Sequence, residues 1–218
     1  MSNFELHLSV LTKSIDEFED VCEDIGVKAI VIELQKPDAS HGMFDVMTSS
    51  HTEGTPEDLV AHSREIIGNL NKRGFKVVRT KFESDLNYEG VPKRTVHITD
   101  PFSGQVSSES TGTPFGTYFE AHIAVTALPE TISDLPPFAR QNDLHLSRNV
   151  FKHLPCGSVV QMMTARQYTG TVEDFEDRLR DLDYSLSTYR TGKVVEISVE
   201  KEYVMYDSNK AHEGAWGN

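Results

Sequence analysis

The sequence predicts an α+β fold of two tandem ferredoxin-like (βαββαβ) repeats related by internal duplication. Recurring sequence blocks and the order of strand and helix signals carry that expectation. Phe4-Glu5-Leu6-His7-Leu8-Ser9-Val10 returns as Phe119-Glu120-Ala121-His122-Ile123-Ala124-Val125, displaced by 115 residues. Met47-Thr48 returns as Met163-Thr164, and Gly54-Thr55-Pro56-Glu57-Asp58-Leu59 as Gly170-Thr171-Val172-Glu173-Asp174-Phe175, both displaced by 116. Lys76-Val77-Val78 returns as Lys193-Val194-Val195 and Glu83 as Glu200, displaced by 117. Blocks that recur in one order at a nearly constant spacing mark a repeated structural unit.

Within residues 1–84, the first repeat, each element has its own signal. Phe4, Leu6, Leu8 and Val10 alternate with Glu5, His7 and Ser9, the period of a strand with one apolar face. Ser14 opens a helix that carries Ile15, Phe18, Val21, Cys22 and Ile25 at helical spacing and stops at Gly26. Ala29–Leu34 is a β-branched run, and Met43–Thr48 is a second strand beyond the turn residues Pro37, Asp38, Ser40 and Gly42. Thr55 is an N-cap with Pro56 at the first helical position and Glu57 and Asp58 in the first turn. That helix runs to about Arg73 and Gly74, and a last strand spans 75–83.

The second repeat, 118–205, follows the same plan: strand 118–126, a first helix broken around Pro136-Pro137, strands 143–147 and 158–165, helix 172–187 and strand 193–205. Between them, 85–117 is rich in Pro, Gly and Ser and reads as a linker or covering loop, and 206–218 as a polar tail.

Composition narrows the class. The 218 residues are 38% hydrophobic and 25% charged, with 11 Phe and 7 Tyr, which suits a folded chain rather than a disordered one. A formal charge of −13 opposes non-specific wrapping of duplex DNA, which is driven by counterion release. Cys22 and Cys156 cannot build a disulfide framework, so a reducing cytoplasmic setting is expected. No run of 18 apolar residues and no basic-then-apolar N-terminal segment is present, so neither membrane spanning nor export is expected.

The polar strand faces are where chemistry can sit. Glu5, His7 and Ser9 share one face of the first strand, and Glu120 and His122 recur on its counterpart. In a ferredoxin-like plait the last strand lies beside the first, which adds Arg79, Lys81 and Glu83 to one set and Glu196, Ser198, Glu200 and Glu202 to the other. The densest polar run is Leu144-His145-Leu146-Ser147-Arg148-Asn149-Val150-Phe151-Lys152. Its imidazole, hydroxyl, guanidinium and ammonium suit a phosphate or carboxylate, and Thr164 and Arg166 extend that anion site. Glu120, His122, His145 and Glu200 offer nitrogen and oxygen donors, but no short-spaced ligand motif points to a metal. Walker and Rossmann glycine loops are absent and no motif specifies a cofactor.

His7-Leu8-Ser9, His145-Leu146-Ser147 and His97-Ile98-Thr99 are His-hydrophobic-Ser/Thr tripeptides on strand-like segments of a duplicated α/β chain. In this respect the sequence resembles the 2H phosphoesterase family, although Ala124 follows His122 where Ser9 follows His7. The resemblance implies two lobes whose histidines face one another across a cleft while hydroxyls hold a phosphate.

The leading expectation is therefore a hydrolase, specifically a phosphodiesterase, that handles a small anionic ligand such as a nucleotide between the lobes. His122 and His145 exchange protons beside Glu120, and Ser147, Arg148, Lys152, Thr164 and Arg166 hold the anion. The alternative is a non-catalytic protein that binds a partner, or a second copy of itself, on its helix-free sheet faces. An RNA version is disfavoured because those faces lack an aromatic platform.

Overall fold

Alternation along β1 (Ser2–Leu11) sends Phe4, Leu6, Leu8 and Val10 to one side and Glu5, His7 and Ser9 to the other, and the whole architecture follows from which side turns inward. The computed structural model describes residues 2–38, 42–100, 105–110, 112–129, 135–149, 158–189 and 194–209. The first stretch continues through α1 (Ile15–Asp24), β2 (Lys28–Asp38), β3 (Gly42–Gly54), α2 (Pro56–Lys72) and β4 (Lys76–Ser84). A hairpin, β5 (Arg94–Asp100) and β6 (Gln105–Ser110), stands apart as a two-stranded sheet. Then come β7 (Tyr118–Ala127), α3 (Leu135–Gln141), β8 (His145–Asn149), β9 (Val159–Gln167), α4 (Val172–Tyr189) and β10 (Val194–Asp207).

Eight strands close into one antiparallel barrel in the order β1-β3-β2-β8-β9-β7-β10-β4. This overturns the expected pair of tandem ferredoxin-like lobes. Two separate sheets would leave open edges, and here those edges pair with each other. β4 joins β10, with Ser84 opposite Tyr203, and β2 joins β8, with Glu33 opposite Arg148. Closure removes every exposed edge of the eight-stranded sheet.

The apolar core lies outside the barrel wall, beneath the helices. Phe4, Leu6 and Leu8 of β1 meet Phe18 and Cys22 of α1 and Leu59, Ile66 and Leu70 of α2. On the other half, Phe119, Ala121, Ile123 and Val125 of β7 meet Phe138 of α3 and Phe175, Leu179 and Leu182 of α4, with the Phe119 and Phe175 rings stacked at 5.3 Å. Burial of this apolar surface, worth about 25 cal/mol per Å², pins the helices to the wall. The faces opposite, polar in sequence, therefore turn into the barrel.

The helix starts explain one recurring sequence block. In α2 the Thr55 hydroxyl accepts from the Asp58 backbone N–H while the Asp58 carboxylate accepts from that of Thr55. In α4 Thr171 and Asp174 make the same reciprocal pair. The glycines before them, Gly54 and Gly170, adopt positive φ (141° and 97°), and a Cβ on either would press against the capping aspartate.

The segment after β4 is not bare loop. Val91 is buried, and Tyr88 packs edge-on against Phe4 with ring centroids 5.4 Å apart. No helix among the described residues is long and apolar enough to cross a membrane.

Candidate functional site: a charged cavity inside the barrel

The barrel holds a cavity of about 300 Å³ lined by both apolar and charged side chains. Ile30 and Ile32 of β2, Met47 of β3 and Met162 of β9 supply its apolar lining, interleaved with Lys28, Asp45, Ser49 and Ser147. The polar lining continues with Glu5, His7 and Ser9 from β1, Arg79 and Lys81 from β4, Glu120 and His122 from β7, Thr164 and Arg166 from β9, and Glu200 and Glu202 from β10. An eight-stranded barrel has room for side chains or for one small ligand, and this interior is only partly filled.

Three cations of the polar lining, Arg79, Lys81 and Arg166, are held by carboxylates. Lys81 Nζ lies 2.8 Å from Glu120 Oε1 and 2.6 Å from Glu83 Oε1. Burial alone would depress the Lys81 ammonium, but Glu120 and Glu83 outweigh that and hold it above its ordinary range. Arg166 donates from Nε to Glu120 Oε2. Burial would likewise raise Glu120, yet Arg166 and Lys81 keep it well below the usual carboxylate range. Glu83 is lowered in the same way by Lys81 and His7 against the effect of burial. Arg79 grips Asp207, which also accepts from the Tyr118 hydroxyl at 3.0 Å.

Glu202 behaves differently. Burial and the neighbouring Glu83 and Glu120 carboxylates push it far above the usual range, so it carries its proton near neutrality. A side-chain hydrogen bond to Glu83 adds to the effect, and the buried Oε2 of Glu202 lies 3.6 Å from His122 Nε2.

His7 and His122 are each held at both nitrogens. His7 donates from Nδ1 to the Thr48 carbonyl at 3.2 Å, while its Nε2 lies 2.9 Å from Glu83 Oε2 and 3.3 Å from Glu5 Oε1. His122 Nδ1 lies 3.2 Å from Thr164 Oγ1, with Nε2 3.2 Å from Glu120 Oε1 and 3.6 Å from Glu202 Oε2. Imidazole against carboxylate can pass protons or, with the same atoms, bind a cation.

Of the residues singled out from sequence, the structure brings Glu120, His122, Ser147, Thr164 and Arg166 together on the cavity wall. His145 stands opposite Thr164, which itself stands opposite His122, so the two histidines occupy strands two apart, roughly 10 Å by strand spacing. Arg148 points outward, where its guanidinium clasps exposed Glu33 at 2.8 and 2.5 Å across the β2–β8 seam. Lys152 and Cys156 lie outside the described residues, and His97 is on β5, away from the barrel strands. Cys22 is buried under α1, which pushes its thiol up to about 12, with Glu19 adding to the effect.

The hydrolase and phosphodiesterase reading is corrected with the fold. It required two histidines facing across a cleft between lobes, and the closed wall leaves no such cleft. The helix-free faces of the alternative reading are the barrel lining, which presents a cavity rather than a docking surface.

Sequence reading missed Asp207, placed in the tail. A register irregularity between Val204 and Tyr206 shifts the phase of β10, so a residue that strict alternation from Glu202 sends outward meets Arg79 instead.

No known protein family matches the sequence, and no curated protein matches it. Among solved structures, a putative monooxygenase from Lactobacillus acidophilus NCFM is similar over 94% of each chain at 9% identity, with a TM-score of 0.29.

Proposed function

We propose that this chain binds one small amphipathic molecule inside its barrel, with a neutral or cationic polar end. The observation that supports this reading is the cavity of about 300 Å³, at the small end of ligand pockets, whose lining joins four apolar side chains to a carboxylate- and imidazole-bearing polar set. The apolar end lies against Ile30, Ile32, Met47 and Met162, and the polar end meets Glu5, His122 and Glu202. A free anion fits less well, because the Arg79, Lys81 and Arg166 charges are already opposed by Asp207, Glu83 and Glu120.

Thermal unfolding in the presence of a panel of small amines, polyols, carboxylates and phosphates tests this. A ligand at about a hundred times its Kd adds about 2.7 kcal/mol, which is roughly 5–10 °C for a chain of this size. Stabilisation by amines or polyols that is lost in Met162→Trp, which fills the cavity from its apolar lining, is the expected result. Equal response to anions, or a response that survives the tryptophan, would remove the proposal.

A further inference from the structure

Ile30 and Ile32 alternate inward on β2, and Met47 stands directly opposite Ile30 on β3. Beyond β8, Met162 of β9 stands opposite Ser147. In the ring of eight strands β2 lies four places from β10, so the two isoleucines face Glu200 and Glu202 across the lumen. A molecule whose polar end reaches β7 and β10 therefore lays its other end on isoleucine and thioether.

The make-up of that lining narrows the chemistry of the apolar end. Both methionines are half-buried at the cavity, whereas Met163, one position on, points outward and is fully buried in the core. Among the described residues no Phe, Tyr or Trp lines the cavity, although the chain holds 11 Phe and 7 Tyr. The rings that are described stack outside the wall instead, as Phe119 does on Phe175. Thioether sulfur attracts an aromatic ring at about 5 Å, and the unbranched methionine side chain adjusts to meet it. A saturated chain draws no such attraction. Size agrees as well, because an apolar cavity of about 150 Å³ holds benzene. The volume here, about 300 Å³, suits one ring with a short polar arm.

The polar arm follows from which groups a ligand can touch. The side chains of Glu5 and His122 are 16% and 26% exposed, whereas Arg79, Lys81 and Arg166 are each at 8% or less behind their carboxylates. Hydrogen-bond acceptors are thus within reach and the cations are not, which selects a donor such as an ammonium group.

Resting on the ligand-binding reading of the cavity, we infer that its occupant is a monocyclic arylalkylamine. Its flat ring lies against Ile30, Ile32, Met47 and Met162, and its amine turns toward Glu5 and His122.

The test compares benzylamine with cyclohexylmethylamine by calorimetric titration of the full chain near pH 7. The two have the same number of heavy atoms and the same charge. A site that only buries apolar area binds the saturated ring at least as well, since that ring carries no less apolar surface. Tighter binding of benzylamine, by about two- to tenfold, is expected. The double variant Met47→Leu, Met162→Leu removes both sulfurs at nearly constant volume and should bring the ratio close to one. Met162→Leu alone should lower it part of the way, and Met205→Leu, which packs against the outer core, should leave it unchanged. Equal or tighter binding of cyclohexylmethylamine, or a preference that survives in the double variant, overturns the inference and leaves the ligand-binding reading in place. Absence of binding by either amine overturns the inference, and a silent response to the whole panel of amines and polyols removes the ligand-binding reading with it.

Discussion

The guanidinium of Arg79 on β4 holds the carboxylate of Asp207 on β10 by two hydrogen bonds of 2.9 and 2.5 Å, with both side chains shut away from water. The pair bridges one of the two seams that close the barrel, and Tyr118 ties β7 to the same carboxylate. Removing one partner leaves a buried charge unopposed, so Asp207→Ala is expected to cost about 3–5 kcal/mol in urea unfolding. Replacing the whole set by Arg79→Met, Asp207→Leu and Tyr118→Phe should recover most of that loss, since no charge or hydroxyl is then stranded. A single variant as stable as the parent would show that the seam does not depend on the pair.

The same carboxylate gives the chain an acid-side pH dependence. Burial alone would raise Asp207, but the hydrogen bonds and charge of Arg79, with the Asn209 N–H and the Tyr118 hydroxyl, bring it down to about 2 from an ordinary 3.8. Between those values the unfolded chain binds the proton more readily. The contribution is therefore present above pH 3.8 and is lost as pH falls through about 2. Its size is on the order of 2 kcal/mol. The stability difference between the parent and Asp207→Asn should be flat above pH 4 and shrink below it. A difference that grows on acidification would contradict the assignment.

The individual elements were legible because each is dictated locally. The alternation of β1, the Thr55 cap of α2 and the apolar periodicity of α1 all lie within a few residues of one another. Barrel closure was not legible, because it is decided by residues more than a hundred positions apart. Arg79 meets Asp207, and Glu33 meets Arg148, across seams that no local pattern announces. The site divides in the same way. Glu5, His7, Glu120 and His122 could be placed on polar faces from alternation alone. That these faces turn into a single interior depended on the closure, and Asp207 was hidden by the phase shift in β10.

Arg148 provides a direct check on where ligands go. It lies on the outer wall, 48% exposed in its side chain, with Glu33 at 33%. Exposed pairs contribute only about 0–1 kcal/mol. Arg148→Ala should therefore change unfolding stability by less than about 1 kcal/mol and leave ligand binding in the cavity unaltered. Loss of binding in this variant, measured by the same thermal assay, would move the site to the outer face of β8.

The Gly170-Thr171 start of α4 offers a prediction about the recurring block. Thr171 is buried, its hydroxyl facing the Asp174 backbone N–H at 3.4 Å while the Asp174 carboxylate accepts from the Thr171 N–H at 2.8 Å. Thr171→Ala removes one half of this reciprocal cap and should cost about 1 kcal/mol. Gly170→Ala acts through the backbone instead. Its φ of 97° is unfavourable for any residue with a Cβ, and that Cβ would sit 2.9 Å from Asp174 Oδ2, an atom held in place by the cap. A cost of roughly 1–3 kcal/mol is expected. Because Phe175 of the same turn stacks on Phe119 of β7, weakening this helix start loosens the outer core on one side of the barrel. Hydrogen exchange should then show faster opening of α4 than of α2 in both variants, whereas uniform acceleration across the chain would mean that the cap acts only through global stability.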